Sequence, residues 1–373
     1  MKRTVYIVPY TGGDATSAWQ KAPDDILTFA TRHFNVVRLE PFVKYVPCVA
    51  GRVNILPRLR NLFRQISFYV KCFFSSFGIE RNSLLLLQHP YDWIARGRCE
   101  PNISFSLMRL VLHRRNSVLG FVVHDVEELR VEGGAAMEYE KNRLQALVKN
   151  GDYIIVHNEK MLQWFISKGV PQGKLVNLEI FDYDTPNEPI AKLVYDQSVT
   201  VAGALKAPKA AYLLQSPEIK NVHWHLYGKD LDEEKIRGAH IHYHGVFPPE
   251  ELPVHLMHGF GLVWDGESVD RCTGLYGEYL RYNNPHKLSL YLAAGLPVAI
   301  WDEAAEADFV KKHDVGIAVK SLHELANRLS SLTQVDYDRI RGNALEISKK
   351  LRDGYFTRRA IEEIFIRKYG QCS

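Results

Sequence analysis

The feature that most constrains this chain is a recurrence of short, β-rich apolar runs separated by stretches of helical periodicity. In the first half the runs are Thr4–Val8, Val36–Leu39, Leu84–Gln88, Leu119–Val123 and Tyr153–Val156. In the second they are Ser198–Ala202, His223–Tyr227, Phe260–Trp264, Pro297–Trp301 and Gly316–Val319. Runs of this kind, buried on both faces and alternating with helices, belong in parallel sheets. Two such series predict an α/β chain of two doubly wound, Rossmann-like domains facing a central cleft. The length of 373 residues agrees with two domains. The turn-rich segment Asp182–Pro189 (DYDTPNEP) places the division. The expected domains are residues 1–184 and 185–345, with 346–373 as a terminal helix that returns to the first.

Composition narrows the class. With 46% hydrophobic and 24% charged residues, the chain is neither disordered, collagen-like nor a coiled coil. Its cysteines (Cys48, Cys72, Cys99, Cys272, Cys372) form no short-spaced pair, so neither a zinc ribbon nor a disulfide framework is expected, and a reducing cytoplasm fits. No leader-like segment opens the chain, and its apolar runs are far too short to span a bilayer. No GxGxxG follows Val8, which disfavours a nicotinamide enzyme.

The densest chemistry lies between Gly259 and Trp301. A helix is predicted with Asn284 as N-cap, Pro285 at its first position and Gly295 as its stop. Lys287 then falls in the first turn, where a cation opposes the helix dipole unless an anion binds. Free backbone N–H groups, Lys287 and His286 together suit a diphosphate; an ordinary solvated lysine is the alternative.

The net charge of +4 is unevenly spread. No acid lies between Glu40 and Glu80, while Arg58–Phe77 (RLRNLFRQISFYVKCFFSSF) carries Arg60, Arg64 and Lys71 beside a broad aromatic face. That pattern suits a helix on an anionic bilayer surface, or one packed on its own sheet. A nucleic-acid partner is not expected, because the bases are confined to one amphipathic stretch. His223/His225 and His242/His244 each share a strand face, yet no carboxylate cluster accompanies them, and no metal is expected.

Several segments resemble one bacterial glycosyltransferase family of the two-domain GT-B type. They are Asp14 with Lys21 and Asp25-Ile26, HDVEELR at His124–Arg130, HNEKM at His157–Met161, FDY at Phe181–Tyr183, AGALK at Ala202–Lys206, Phe260–Asp270, and YGEYLRYNNPHKLSLYLAAGLPV at Tyr276–Val298. The family contains β-1,6-galactofuranosyltransferases of surface polysaccharide assembly and glucosyltransferases that extend GlcNAc on serine-rich adhesins. The resemblance implies a UDP-sugar donor, a glycan acceptor that is lipid-linked in one reading, no cofactor and no metal. It also implies an acceptor-binding first domain and a donor-binding second domain. The best reading is galactofuranose transfer, by a homo-oligomer lying on the inner face of the plasma membrane. Alternatives are a glucosyltransferase acting on GlcNAc-modified adhesin and a silent relative that binds a partner.

The departing diphosphate needs cations, and an inverting transfer needs a base for the acceptor hydroxyl. Lys206 and Lys209, after the loop glycine Gly203, resemble the basic pair that grips a donor diphosphate. Asp14 is the first candidate for the base, followed by His124 and Asp125. Asp265 is expected at sugar hydroxyls, with Glu267 beside it and Glu278 and Asn283 as alternatives; Asn284, His286 and Lys287 complete the donor set. The acid that commonly holds a GT-B donor ribose, three positions past the PxK lysine, is here Leu290.

Overall fold

The computed structural model describes residues 3–9, 18–39, 67, 70, 74, 77–90, 101–130 and 133–370, without the side chains of 18, 19, 101–104, 135, 136 and 139. Asp14 lies outside these residues, as does the Arg58–Phe77 stretch except Ser67, Val70, Phe74 and Phe77.

Two six-stranded sheets organise the chain. The first holds β1 (Thr4–Ile7), β2 (Asn35–Arg38), β3 (Leu84–His89), β4 (Val118–Val123), β5 (Tyr153–Val156) and β6 (Leu175–Asn177), in the order β2-β1-β3-β4-β5-β6. The second holds β7 (Ser198–Ala202), β8 (His223–Tyr227), β9 (Ile241–Tyr243), β10 (Phe260–Val263), β11 (Val298–Trp301) and β12 (Gly316–Val319), in the order β12-β11-β10-β7-β8-β9. Every pairing is parallel. All six residues of β3 and of β4 are buried, as strands covered by helices on both faces must be. Ten strands match the apolar runs in the sequence; β6 and β9, three residues each at a sheet edge, do not.

The winding direction reverses between β1 and β3 in the first sheet, and between β7 and β10 in the second. At such a reversal the loops leaving two adjacent strands diverge and open a crevice beyond their carboxyl ends.

The chain returns to the first sheet through two helices, Gln334–Asp353 and Tyr355–Tyr369, joined at Gly354. Gly354 has φ +77°, and a Cβ there would meet the Phe29 ring at 2.3 Å, so only glycine fits the corner. The second helix packs on the Ala18–His33 helix and the edge of β6, with the Phe34 and Phe365 rings 6.2 Å apart. Buried Asp182 accepts N–H bonds from Phe356 (3.2 Å) and Thr357 (2.6 Å) at the positive end of that helix. Arg359 pairs with Glu179 and donates to the Asn177 carbonyl at 2.7 Å. The turn-rich stretch after Ile180 is thus also the anchor of the return helix. Among the described residues, no helix is long and apolar enough to cross a membrane.

Candidate active site

A cleft of about 390 Å³ opens between the sheets, within the usual range for small-ligand sites. His124 and Asp125 enter it from the end of β4, Gly203 from the end of β7, and Asp265 from just beyond β10. The switch point of the second sheet therefore forms its floor. Gly203 (φ +126°) and Gly228 (φ +144°) let the loops after β7 and β8 touch: a Cβ on Gly228 would lie 1.7 Å from the Gly203 carbonyl oxygen.

Positive charge dominates the lining. Lys21, Arg130, Lys209, Lys229 and Lys287 face the cleft, against Asp125 and Asp265. Lys287 Nζ lies 2.7 Å from Asp265 Oδ1 and 3.2 Å from the Trp264 carbonyl, both side chains nearly buried. Burial lowers the Lys287 pKa, and Asp265 opposes that shift. Asp265 thus holds the lysine; the structure does not present it as a free sugar-hydroxyl ligand. Lys209 lies over the Tyr276 ring at 5.8 Å and its charge reaches Asp125, but neither it nor Lys229 forms a close ion pair among the described residues. Lys206 differs from expectation: it turns outward to Asp230 (3.3 Å), is 63% exposed, and does not line the cleft. Glu278 also turns away, to Arg281 at 2.8 Å.

The helix that carries Lys287 runs from His286 to Ala293 and opens its first turn onto the cleft. Its cap departs from the sequence reading. Pro285 occupies the N-cap, one position later than expected, and Asn284 does not cap. The Asn284 amide instead donates to the carbonyls of His157 (2.7 Å) and Glu179 (3.0 Å) and accepts from Asn158 at 2.6 Å. These partners all come from the first half of the chain, so Asn284 ties the two halves together at the root of the cleft. Asn283 also lines the cleft, and its Oδ1 is buried with no hydrogen-bond partner.

The opposite wall carries Asp125. Its Oδ2 pairs with Arg130 at 2.7 Å, and its Oδ1 accepts from the Tyr279 hydroxyl at 3.1 Å. Tyr279 belongs to the second half and also accepts the Val126 N–H, so it fixes Asp125 from across the cleft. Burial raises the Asp125 pKa, against the lowering effect of Arg130. His124 stacks on Phe181 (5.6 Å, 12°) and hydrogen-bonds through Nε2 to Gln88 at 2.7 Å. Burial, with His157 and His286 nearby, lowers its pKa to about 3. His286 is likewise held near 3, first by burial and then by Lys21, so it adds no charge to an anion site.

Arg130, Tyr279, Lys21 and Lys229 were not singled out as site residues from sequence. Lys229 had a signal: it follows a strand-ending glycine, Gly228, just as the Lys209 loop follows Gly203. The Asp182-Tyr183-Asp184 triplet has the spacing of a metal-binding carboxylate pair. Both acids are otherwise engaged, Asp182 at the return helix and Asp184 with Arg32 at the surface.

Two facing, fully parallel, doubly wound sheets with a basic cleft at their switch points define a GT-B glycosyltransferase. Residues 199–364 match the family described as glucosyltransferase 3-like, C-terminal domain, and residues 58–180 match the corresponding N-terminal domain. The chain belongs to this glucosyltransferase 3-like family and is a glycosyltransferase. It is 36% identical over 245 residues to the β-1,6-galactofuranosyltransferase WbbI of Escherichia coli, covering 65% of this chain and 70% of the relative. It is 26% identical over 223 residues to glucosyltransferase 3 of Streptococcus gordonii, covering 58% and 62%. Among solved structures it resembles a Thermosynechococcus elongatus sucrose-phosphate synthase (TM-score 0.59, 13% identity, 98% of each chain). It also resembles Anabaena HepE in complex with UDP-glucose (TM-score 0.56, 11% identity, 97% and 98%).

The buried histidines yield a pH prediction. His157 donates through Nε2 to the Val123 carbonyl (3.0 Å) and accepts the Asn284 N–H on Nδ1 (2.9 Å), the pattern of a neutral ring. Burial depresses its pKa from 6.5 to about 3. The unfolded chain therefore takes up a proton here that the folded chain refuses. Its contribution is complete above pH 6.5 and is lost as pH falls toward 3. His157→Asn will destabilise most at pH 7.5, and the deficit will shrink by about 1.4 kcal/mol for each unit below 6.5. Urea unfolding at pH 7.5 and 5.5 measures this; a deficit unchanged between the two would refute it.

Proposed function

We propose that the chain transfers galactofuranose from UDP-galactofuranose to a glycan acceptor in surface polysaccharide assembly. The observation that carries the donor class is the excess of cations in the cleft, with Lys209 and Lys229 in no close ion pair among the described residues. They suit a diphosphate whose negative charge grows as the sugar departs. The Anabaena neighbour, solved with UDP-glucose, supports a uridine nucleotide in the same kind of cleft. The higher identity to the galactofuranosyltransferase than to the glucosyltransferases supports the sugar.

In this reading the second half holds the donor, with Lys209, Lys229 and Lys287 around the diphosphate and Asn283 offering its free Oδ1 to a donor hydroxyl. Leu290 lines the cleft where related proteins place a ribose-binding acid, so the nucleoside is held by other groups. The acceptor enters against the first half. Its hydroxyl attacks the anomeric carbon, the bond to the diphosphate breaks, and Asp125 takes the hydroxyl proton. A burial-raised carboxylate suits that role better than His124, whose lowered pKa makes it a weak base. The lysines meet the diphosphate charge without a metal ion. The basic Arg58–Phe77 stretch would contact an anionic membrane surface or the diphosphate of a lipid-linked acceptor.

A transfer assay across UDP-sugars tests the reading. Product from UDP-galactofuranose and none from UDP-glucose is expected. The reverse would make the enzyme a glucosyltransferase, which the family description favours.

A further inference from the structure

A second concentration of chemistry lies on the second sheet, beside the cleft. The spacing in sequence pairs His223 with His225 and His242 with His244; the fold groups them differently. On β8, His225 stands in register with His242 on β9 and with Thr200 on β7. The Thr200 hydroxyl donates to the His258 carbonyl at 2.8 Å, which draws His258 over the same face. His244 follows β9 and closes in from the other side. One ring nitrogen from each of His225, His244 and His258 lies within 4.8 Å of the other two, with His225 Nδ1 and His244 Nε2 at 2.9 Å. No carboxylate belongs to the trio, but Asp196 Oδ2 faces His258 Nδ1 at 3.4 Å. His225 is buried, whereas His244 is exposed and His258 partly so, which leaves an approach from solvent.

We propose that His225, His244 and His258 bind one divalent transition-metal ion of the zinc class. Asp196 orients His258, and water completes the coordination. Imidazole suits zinc and its neighbours, and a carboxylate behind a ligating histidine is a recurrent support. Around a tetrahedral ion with Zn–N near 2.0–2.1 Å, ligand nitrogens stand about 3.3 Å apart, so the His225–His244 hydrogen bond at 2.9 Å opens slightly while the wider pairs, within 4.8 Å, draw in. One rotation is required. Imidazole lone pairs lie in the ring plane, and the His225 and His258 rings now stack face to face at 3.6 Å and 7°. Binding therefore swings the less buried His258 ring out of that stack.

The site is separate from the diphosphate cations. Tyr227 stands between them: its ring stacks on His244 at 4.4 Å, its hydroxyl donates to the His255 carbonyl, and it lines the cleft. The ion would brace the edge strands behind the cleft wall without touching the reacting atoms.

The test uses the full chain without a histidine tag, stripped with EDTA, dialysed and titrated with zinc chloride. Calorimetry and elemental analysis should give one zinc per chain, and the melting temperature should rise and fall back with EDTA. His244→Asn and His258→Asn should each weaken binding at least tenfold while melting in EDTA like the parent. Absence of stoichiometric binding would overturn the proposal, and so would binding that survives both substitutions. Should the variants fail to fold, cobalt(II) added to the parent decides: a visible spectrum of low-symmetry nitrogen coordination supports the site, and the spectrum of the hydrated ion refutes it.

Discussion

Lys287→Met is expected to lower kcat/KM by a hundred- to a thousandfold and to destabilise the fold by about 3 kcal/mol. The two effects have different origins. In the proposed donor-binding role, the activity loss comes from removing a nearly buried cation that would meet the developing diphosphate charge. The stability loss comes from leaving Asp265 buried without its partner, since both side chains are nearly inaccessible and breaking a buried pair costs about 3–5 kcal/mol. The double variant Lys287→Met/Asp265→Asn separates them. It should recover most of the stability, because a neutral amide needs no counter-charge, and none of the activity. Urea unfolding and steady-state kinetics on the three variants complete the cycle. Activity that returned with stability would make the pair a structural brace and leave the diphosphate to Lys209 and Lys229.

Asp125→Asn should cost about a thousandfold in kcat with little change in donor KM, within the span that positioned general bases contribute. The parent should also show an acid limb in kcat shifted upward from that of a free aspartate, because burial raises the Asp125 pKa and only the ionised form accepts a proton. The variant should lack that limb. Tyr279→Phe removes the hydroxyl that holds Oδ1 and should give a smaller loss that keeps it. The rival is Asp14, placed by sequence in the loop after the first strand. If Asp14→Asn abolishes turnover while Asp125→Asn stays near the parent, the base is Asp14.

Much of the architecture was legible because parallel strands buried on both faces are written as continuous apolar runs. The two strands that escaped, Leu175–Asn177 and Ile241–Tyr243, are too short for any periodicity and lie at edges, where burial is incomplete. Strand order was not legible, since it depends on which helices cross which face. The helix that begins at His286 was announced by Pro285 and Gly295, but Asn284 misled. A capping residue and a tertiary bridge use the same amide chemistry, and only the position of His157 and Glu179 tells them apart.

The site divides the same way. Gly203, Lys287, His124 and Asp125 line the cleft because each sits just past a strand end or at a helix start, and Lys209 lies in the loop that follows Gly203. Arg130 and Tyr279 emerged only from the fold, as did the outward turn of Lys206 and the burial that keeps His286 neutral. Local backbone preferences and apolar patterning act over a few residues, so the sequence by itself determined two parallel sheets and a helix start that faces the cleft. Charge pairing, desolvation and the convergence of three histidines act between residues distant in the chain, and the tertiary structure alone decided them.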